Sequence, residues 1–98
     1  MDRQPSWTVY MLRCCDGSLY TGITTDLDRR LKEHNGDLSG GARFTRARRP
    51  VEVVYQETQP DRSQATRRER MIKKMERRQK LALVHSFPQQ RILESDYE

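Results

Sequence analysis

Trp7-Thr8-Val9-Tyr10-Met11-Leu12-Arg13-Cys14, the connection Cys15-Asp16-Gly17-Ser18, and Leu19-Tyr20-Thr21-Gly22-Ile23 form the stretch whose reading decides the fold. Val9, Tyr10, Met11 and Leu12 place strand formers on both faces, which predicts a strand over Trp7 to Cys14. Leu19 to Ile23 is its expected antiparallel partner, and the length of the turn sets the register. A two-residue Asp16-Gly17 turn would pair Tyr10 with Ile23 and throw Tyr10 and Tyr20 onto opposite faces, because a one-residue slip inverts every side chain. A three-residue turn, with Gly17 in the left-handed conformation, pairs Leu12 with Tyr20 and Tyr10 with Gly22. Both hydroxyls then share one face, and Gly22 leaves space beside Tyr10. The expectation is the three-residue turn.

Outward from the hairpin, the next expected element is a helix from about Asp26 to Asn35. Thr25 with Asp28 forms a capping pair, Leu27 and Leu31 an apolar stripe, and Asn35-Gly36 the stop. Arg30 and His34 are four residues apart and so project from one side of this helix. Gly36 to Pro50 reads as a loop or short irregular helix, rich in glycine and then in arginine. Val51 to Glu57 reads as a third strand, broken by Gln59-Pro60-Asp61. Asp61 or Ser63 can cap a long helix to about Met75 or beyond, and Leu81 to Val84 continues or restarts it. The order strand, strand, helix, strand, helix predicts an α+β fold, a small three-stranded antiparallel sheet flanked by helices. One domain over residues 1–85 is expected, followed by a flexible acidic tail, 86–98.

At 98 residues the chain supports one small domain with a thin core. Nineteen Lys and Arg against fourteen Asp and Glu give a net charge of +5. The last thirteen residues hold three acids and one arginine, so the body carries eighteen basic and eleven acidic residues, +7. A polyanionic partner follows, nucleic acid first and an anionic membrane surface second. Adjacent Cys14 and Cys15 suit neither an ordinary disulfide nor a chelating zinc pair. With no apolar run of membrane-spanning length and no secretory leader, a reducing, cytoplasmic setting is expected, with no membrane partner.

Hydrolysing a phosphodiester needs a base for the attacking water and a cation for the developing equatorial charge, and usually a metal at the leaving oxygen. Tyr10 and Tyr20, Arg30 with His34, and Glu69 supply one candidate of each kind. Glu69 lies four residues after Ala65 and three before Ile72, on the apolar stripe, so its carboxylate is directed at the sheet and needs either a basic partner or a divalent cation. Glu76, beside Arg77 and Arg78, reads as a surface ion-pair residue. Arg43, Arg46 and Arg49 in the central loop, and Arg70, Lys73, Lys74 and Arg77 on the long helix, are candidates for phosphate contact, which positions a nucleic acid without reading bases. Few exposed aromatics interleave with these charges, which argues against a base-stacking platform for single strands.

Thr8-Val9-Tyr10, Tyr20-Thr21-Gly22, Leu27-Asp28-Arg29-Arg30-Leu31, Glu33-His34-Asn35 and the downstream Glu69 together resemble the GIY-YIG nuclease superfamily. Gly40-Gly41-Ala42-Arg43-Phe44-Thr45, Arg49-Pro50 and Glu69-Arg70-Met71-Ile72-Lys73-Lys74 are similar to its small stand-alone bacterial members and to the nuclease domain of Slx-type endonucleases. The resemblance spans roughly residues 7–84. It implies a metal-dependent DNA endonuclease on a three-stranded sheet. Tyr10 and Tyr20 would place or deprotonate water, Arg30 would stabilise the pentacovalent phosphate, His34 would assist proton transfer, and Glu69 would hold one Mg²⁺ or Mn²⁺. The chain departs from the family pattern at Thr8, Val9 and Thr21, and has Ile23 where some repair-enzyme relatives carry lysine. The expected substrate is DNA, branched or nicked forms included, with a role in repair or recombination and a protein partner for targeting. The alternatives are a nucleic-acid-binding module that keeps the fold with little or no cleavage, and an adaptor acting through the tail from Ser86.

Overall fold

Residues 6–87 are described in the computed structural model. Strand β1, Trp7–Cys14, pairs antiparallel with β2, Leu19–Thr24, with Leu12 opposite Tyr20 and Tyr10 opposite Gly22. The turn has three residues: the Cys14 amide donates to the Ser18 carbonyl at 2.9 Å, the Gly17 amide to the Cys14 carbonyl at 2.9 Å, and Gly17 takes φ 87°. That φ lies in the left-handed region, open to glycine at no steric cost. The register read from the sequence is therefore the one adopted.

β3, Val51–Gln59, two residues longer than expected, pairs antiparallel with the other edge of β1, giving the order β2-β1-β3. Met11 faces Tyr55 and Leu12 faces Val53, so Val54 is an extra residue on β3 at a bulge. The bulge lets Val54 and Tyr55 both enter the core on the same side. To cross from one edge of the sheet to the other, the chain passes through helix α1, Leu27–Asn35, and the four-residue α2, Arg43–Arg46.

α1 starts one residue from the expected cap. The Asp26 side chain accepts the Arg29 amide at 3.1 Å, while Thr24 Oγ1 accepts the Asp26 amide at 3.1 Å; the Thr25–Asp28 pair does not form the cap. At its far end Gly36, φ 87°, closes the helix, and the Asn35 side chain acts as a strand partner: Nδ2 donates to the Val51 carbonyl at 3.0 Å and Oδ1 accepts the Val51 amide at 2.8 Å. α1 is thereby fastened to the start of β3.

The long basic helix is two helices. α3, Arg62–Lys73, is capped by Asp61, which accepts the Gln64 amide at 2.8 Å. The chain turns at Lys74 to Glu76, and α4, Arg77–Ser86, begins with Glu76 and Gln79 in a reciprocal capping box. Glu76, expected only as an ion-pair residue, is thus the start signal of α4 as well as a partner of Arg78 at 3.7 Å.

Two apolar clusters sit on opposite faces of the sheet. Val9, Met11, Val54 and Tyr55 pack with Ala65 and Ile72 of α3 and Val84 of α4; Tyr10, Leu12, Cys14 and Val51 pack with Leu27 and Leu31 of α1. Phe87 rests edge-on against Tyr55, 5.7 Å between centroids. The rest of the acidic tail lies outside the described residues.

Ile72 is fully buried while its neighbour Met71 is half exposed. Ile72→Ala is expected to lower the unfolding free energy by about 2–5 kcal/mol. Met71→Ala should change it by about 0.5 kcal/mol or less. Urea denaturation of both variants measures the contrast.

Candidate active site

Tyr10 and Tyr20 lie on the face of the sheet that α1 covers, with ring centroids 6.5 Å apart. Tyr10 can lie across β2 only because residue 22 has no side chain. A Cβ there would stand 2.5 Å from the Tyr10 hydroxyl oxygen and 2.8 Å from Cζ. The space expected beside Tyr10 is therefore filled by the end of its own ring.

His34 continues the buried face of α1, three residues beyond Leu31, and its ring stands 5.9 Å from Tyr10 and 5.1 Å from Tyr20. It is completely buried. Its Nε2 is 2.8 Å from the Tyr10 hydroxyl and its Nδ1 is 2.9 Å from Thr45 Oγ1. Burial, with Arg30 adding to it, pushes the His34 pKa down to about 4, so the imidazole is neutral at pH 7. Burial likewise pushes the Tyr10 phenol up to about 12, against the opposing pull of Arg30.

Arg30 stands one turn before His34 and is about a quarter exposed. It donates to Glu33 Oε1 at 2.6 Å and to the Gly40 carbonyl at 2.9 Å, contacts that aim the guanidinium beside Tyr10. Glu33 also accepts from Arg29 at 3.2 Å. Sequence reasoning missed Glu33 as the anchor of Arg30; the signal was its place three residues on, the usual spacing for a helical ion pair.

Glu69 points inwards from α3 with its side chain 19% exposed, and its carboxylate pairs with Lys73 Nζ at 3.0 Å. Its charge adds slightly to the rise of the Tyr10 pKa, after burial and Tyr20. Among the described residues no cluster of three or more His, Cys, Asp or Glu could hold a metal ion. A single carboxylate still suits Mg²⁺ or Mn²⁺, because a hard cation of that kind commonly binds through one or two carboxylates, water and substrate phosphate. Glu69 fits such a site.

Basic residues divide into committed and exposed groups. Arg49 turns inwards, donates from Nε to the His34 carbonyl at 2.7 Å and sits where a Cβ on Gly36 would meet it. Arg77 donates to the Gly17 carbonyl at 3.1 Å, joining α4 to the hairpin tip. Arg43 and Arg46 are exposed on α2. Arg62, Arg67, Arg70 and Lys74, with Ser63 and Thr66, line an open groove of about 780 Å³ along the outer face of α3. Lys73 is exposed but held by Glu69. Phe44 stacks with Tyr20 at 5.8 Å between centroids and lies 4.0 Å from the Arg48 guanidinium.

Residues 6–82 match the GIY-YIG catalytic domain. The chain belongs to the GIY-YIG family. It is 53% identical over 81 residues to a UPF0213 protein of Desulfotalea psychrophila, covering 83% of this chain and 73% of that one. It is 49% identical over 76 residues to a UPF0213 protein of Staphylococcus epidermidis, covering 78% and 90%. A UPF0213 solution structure from Bacillus halodurans shares 44% identity at a TM-score of 0.53, covering 82% of this chain and 83% of that one. A solution structure from E. faecalis shares 40% at 0.58, covering 88% and 90%. The GIY-YIG domain places the chain in a nuclease superfamily, and the α+β architecture agrees with that fold. Among the described residues no helix is long and apolar enough to cross a membrane.

Two outcomes follow from this geometry. Gly22→Ala should displace the Tyr10 ring and cost about 1–3 kcal/mol of stability, read by urea denaturation. The second concerns pH. The folded pKa of His34 lies below its unfolded value of 6.5, so the stability from burying a neutral ring is fully present above pH 6.5. It should be lost progressively as pH falls towards 4, where the unfolded chain binds a proton that the folded chain refuses. The loss should reach about 3 kcal/mol, and His34→Gln should flatten the dependence between pH 6.5 and 4, measured by denaturation across that range.

Proposed function

We propose that this GIY-YIG domain is a metal-dependent DNA endonuclease whose hydrolytic centre is the Tyr10, Tyr20, Arg30, His34 and Glu69 cluster. The carrying observation is the convergence of two tyrosines and a neutral histidine with an arginine beside them.

Tyr10 is a phenol at rest. Moving its proton outright to His34 would cost on the order of 10 kcal/mol, given the separation of their acidities. The proton moves instead as the attack develops: water gives a proton to the Tyr10 oxygen while the Tyr10 proton passes to His34 Nε2, so the water O–H and Tyr10 O–H bonds break as a new Tyr10 O–H and an Nε2–H form. Negative charge building on the phosphate offsets the cationic imidazole. Tyr20, 5.1 Å from His34 between ring centroids, would flank the attacking water from the second strand. Arg30, pre-aimed by Glu33 and the Gly40 carbonyl, takes the equatorial phosphate charge. Glu69 would hold Mg²⁺ or Mn²⁺, which when bound would neutralise the leaving oxygen.

Arg43, Arg46, Arg70 and Lys74 would contact DNA phosphates, with Lys73 and Arg77 joining them from their Glu69 and Gly17 contacts, while Arg49 secures α1. Branched and nicked DNA are the substrates proposed, in repair or recombination, with a protein partner for targeting. Two free thiols, Cys14 and Cys15, suit a cytoplasmic setting. A second reading, DNA binding without cleavage, is favoured by one observation, the raised pKa of the Tyr10 phenol.

Cleavage of duplex, nicked and branched DNA with Mg²⁺ or Mn²⁺ separates the two. The nuclease reading predicts turnover abolished by chelator and reduced about 100-fold or more in Tyr20→Phe and in Glu69→Ala. Salt-sensitive binding with no turnover above these variants would leave the binding module.

A further inference from the structure

Thr45 is fully buried on α2, and the fold goes to some length to bring it to His34. The segment before it presses on the last turn of α1, where a Cβ on Gly41 would stand 2.4 Å from the Glu33 carbonyl oxygen. Only a residue without a side chain permits that approach. Gly40 in the same segment gives its carbonyl to Arg30, so this one stretch serves both Arg30 and His34.

The protons around Thr45 can be placed one by one. Its hydroxyl is 3.0 Å from the Ala42 carbonyl, which can only accept. A hydroxyl has one proton, so an oxygen that donates to Ala42 must accept from His34 Nδ1 at 2.9 Å. Nδ1 then carries the imidazole proton, Nε2 is a lone pair, and the Tyr10 hydroxyl donates to it at 2.8 Å. In the opposite arrangement Thr45 would donate to Nδ1, leaving two oxygens 3.0 Å apart with no proton between them. Nε2–H would then point at Tyr10, whose oxygen already faces the Arg30 cation, and the buried phenol proton would lose its acceptor. Burial makes such mismatches costly.

We infer that Thr45 is a positioning residue, fixing the Nδ1–H tautomer of His34 so that Nε2 stands ready to take the Tyr10 proton. It touches neither substrate nor metal and acts through His34. Its role in turnover rests on the nuclease reading; the tautomer it sets does not.

The test uses ¹⁵N-histidine labelling of the full chain at pH 7. In the wild type, His34 should show Nδ1 as the protonated, pyrrole-type nitrogen and Nε2 as the unprotonated, pyridine-type one. Thr45→Ser should preserve that pattern, and Thr45→Val should lose it in favour of Nε2–H or an exchanging mixture. The same variants enter the DNA cleavage assay. Thr45→Val should reduce kcat about tenfold or more with little change in KM, the direction expected when a proton acceptor is held in the wrong tautomer, and Thr45→Ser should restore it. A wild type with Nε2–H, or a folded Thr45→Val that keeps the wild-type pattern, overturns the inference. The expected nitrogen pattern in a protein that cuts no DNA supports the tautomer and overturns the nuclease reading alone.

Discussion

The hydrogen bond of 2.8 Å between the Tyr10 hydroxyl and His34 Nε2 joins the central strand to the helix that crosses it, and other features of the molecule support it. Gly22 gives up its side chain so that the Tyr10 ring can reach across β2. Asn35 fastens the end of α1 to β3, and Arg49 caps the same turn through the His34 carbonyl. Thr45, delivered by the Gly40-Gly41 approach, occupies the far side of the imidazole. Burying two polar rings in so small a core is tolerable only if their protons have partners, and among the described residues no buried side-chain nitrogen or oxygen lacks one.

That same burial sets the chemistry. Desolvation drives Tyr10 and His34 in opposite directions, so both are neutral and neither can hold a charge at rest. Tyr10 is therefore a phenol at rest and not a stored phenolate. The proposed reaction would instead use a concerted shift through the Tyr10 to His34 hydrogen bond, as charge arrives with DNA and metal. In the proposed nuclease, exposed cations such as Arg43 and Arg46 of α2 would attract the DNA and Arg30 would meet the charge that develops on the phosphate.

The hairpin was legible because its register is a parity problem. Only an odd-length turn puts Tyr10 and Tyr20 on the same face, and the glycine that suits the three-residue form stands at position 17. The inward aim of Glu69 was also readable, since Ala65 and Ile72 define the stripe it lies on. The cap of α1 was misplaced by one residue because Thr24, Thr25 and Asp26 are all competent acceptors, and the choice depends on where β2 lets go. The break between α3 and α4 stays open in the sequence, as a stop near Met75 or a continuous helix, because helix-compatible residues run straight through it; the Glu76 and Gln79 spacing marks the new start. Thr45 left no local signal at all. Its role depends on a contact with His34 eleven residues away, created by the irregular segment between them.

A structure with DNA tests the central claim most directly. Crystals of Tyr20→Phe grown with Mn²⁺ and an uncut DNA duplex or branch would locate the metal by its anomalous scattering. The account predicts Mn²⁺ on the Glu69 carboxylate, with a backbone phosphate between Arg30 and the Tyr10 hydroxyl and the Tyr10 to His34 hydrogen bond intact. Manganese away from Glu69, or DNA lying only along the outer face of α3 with no phosphate near Tyr10, would contradict it.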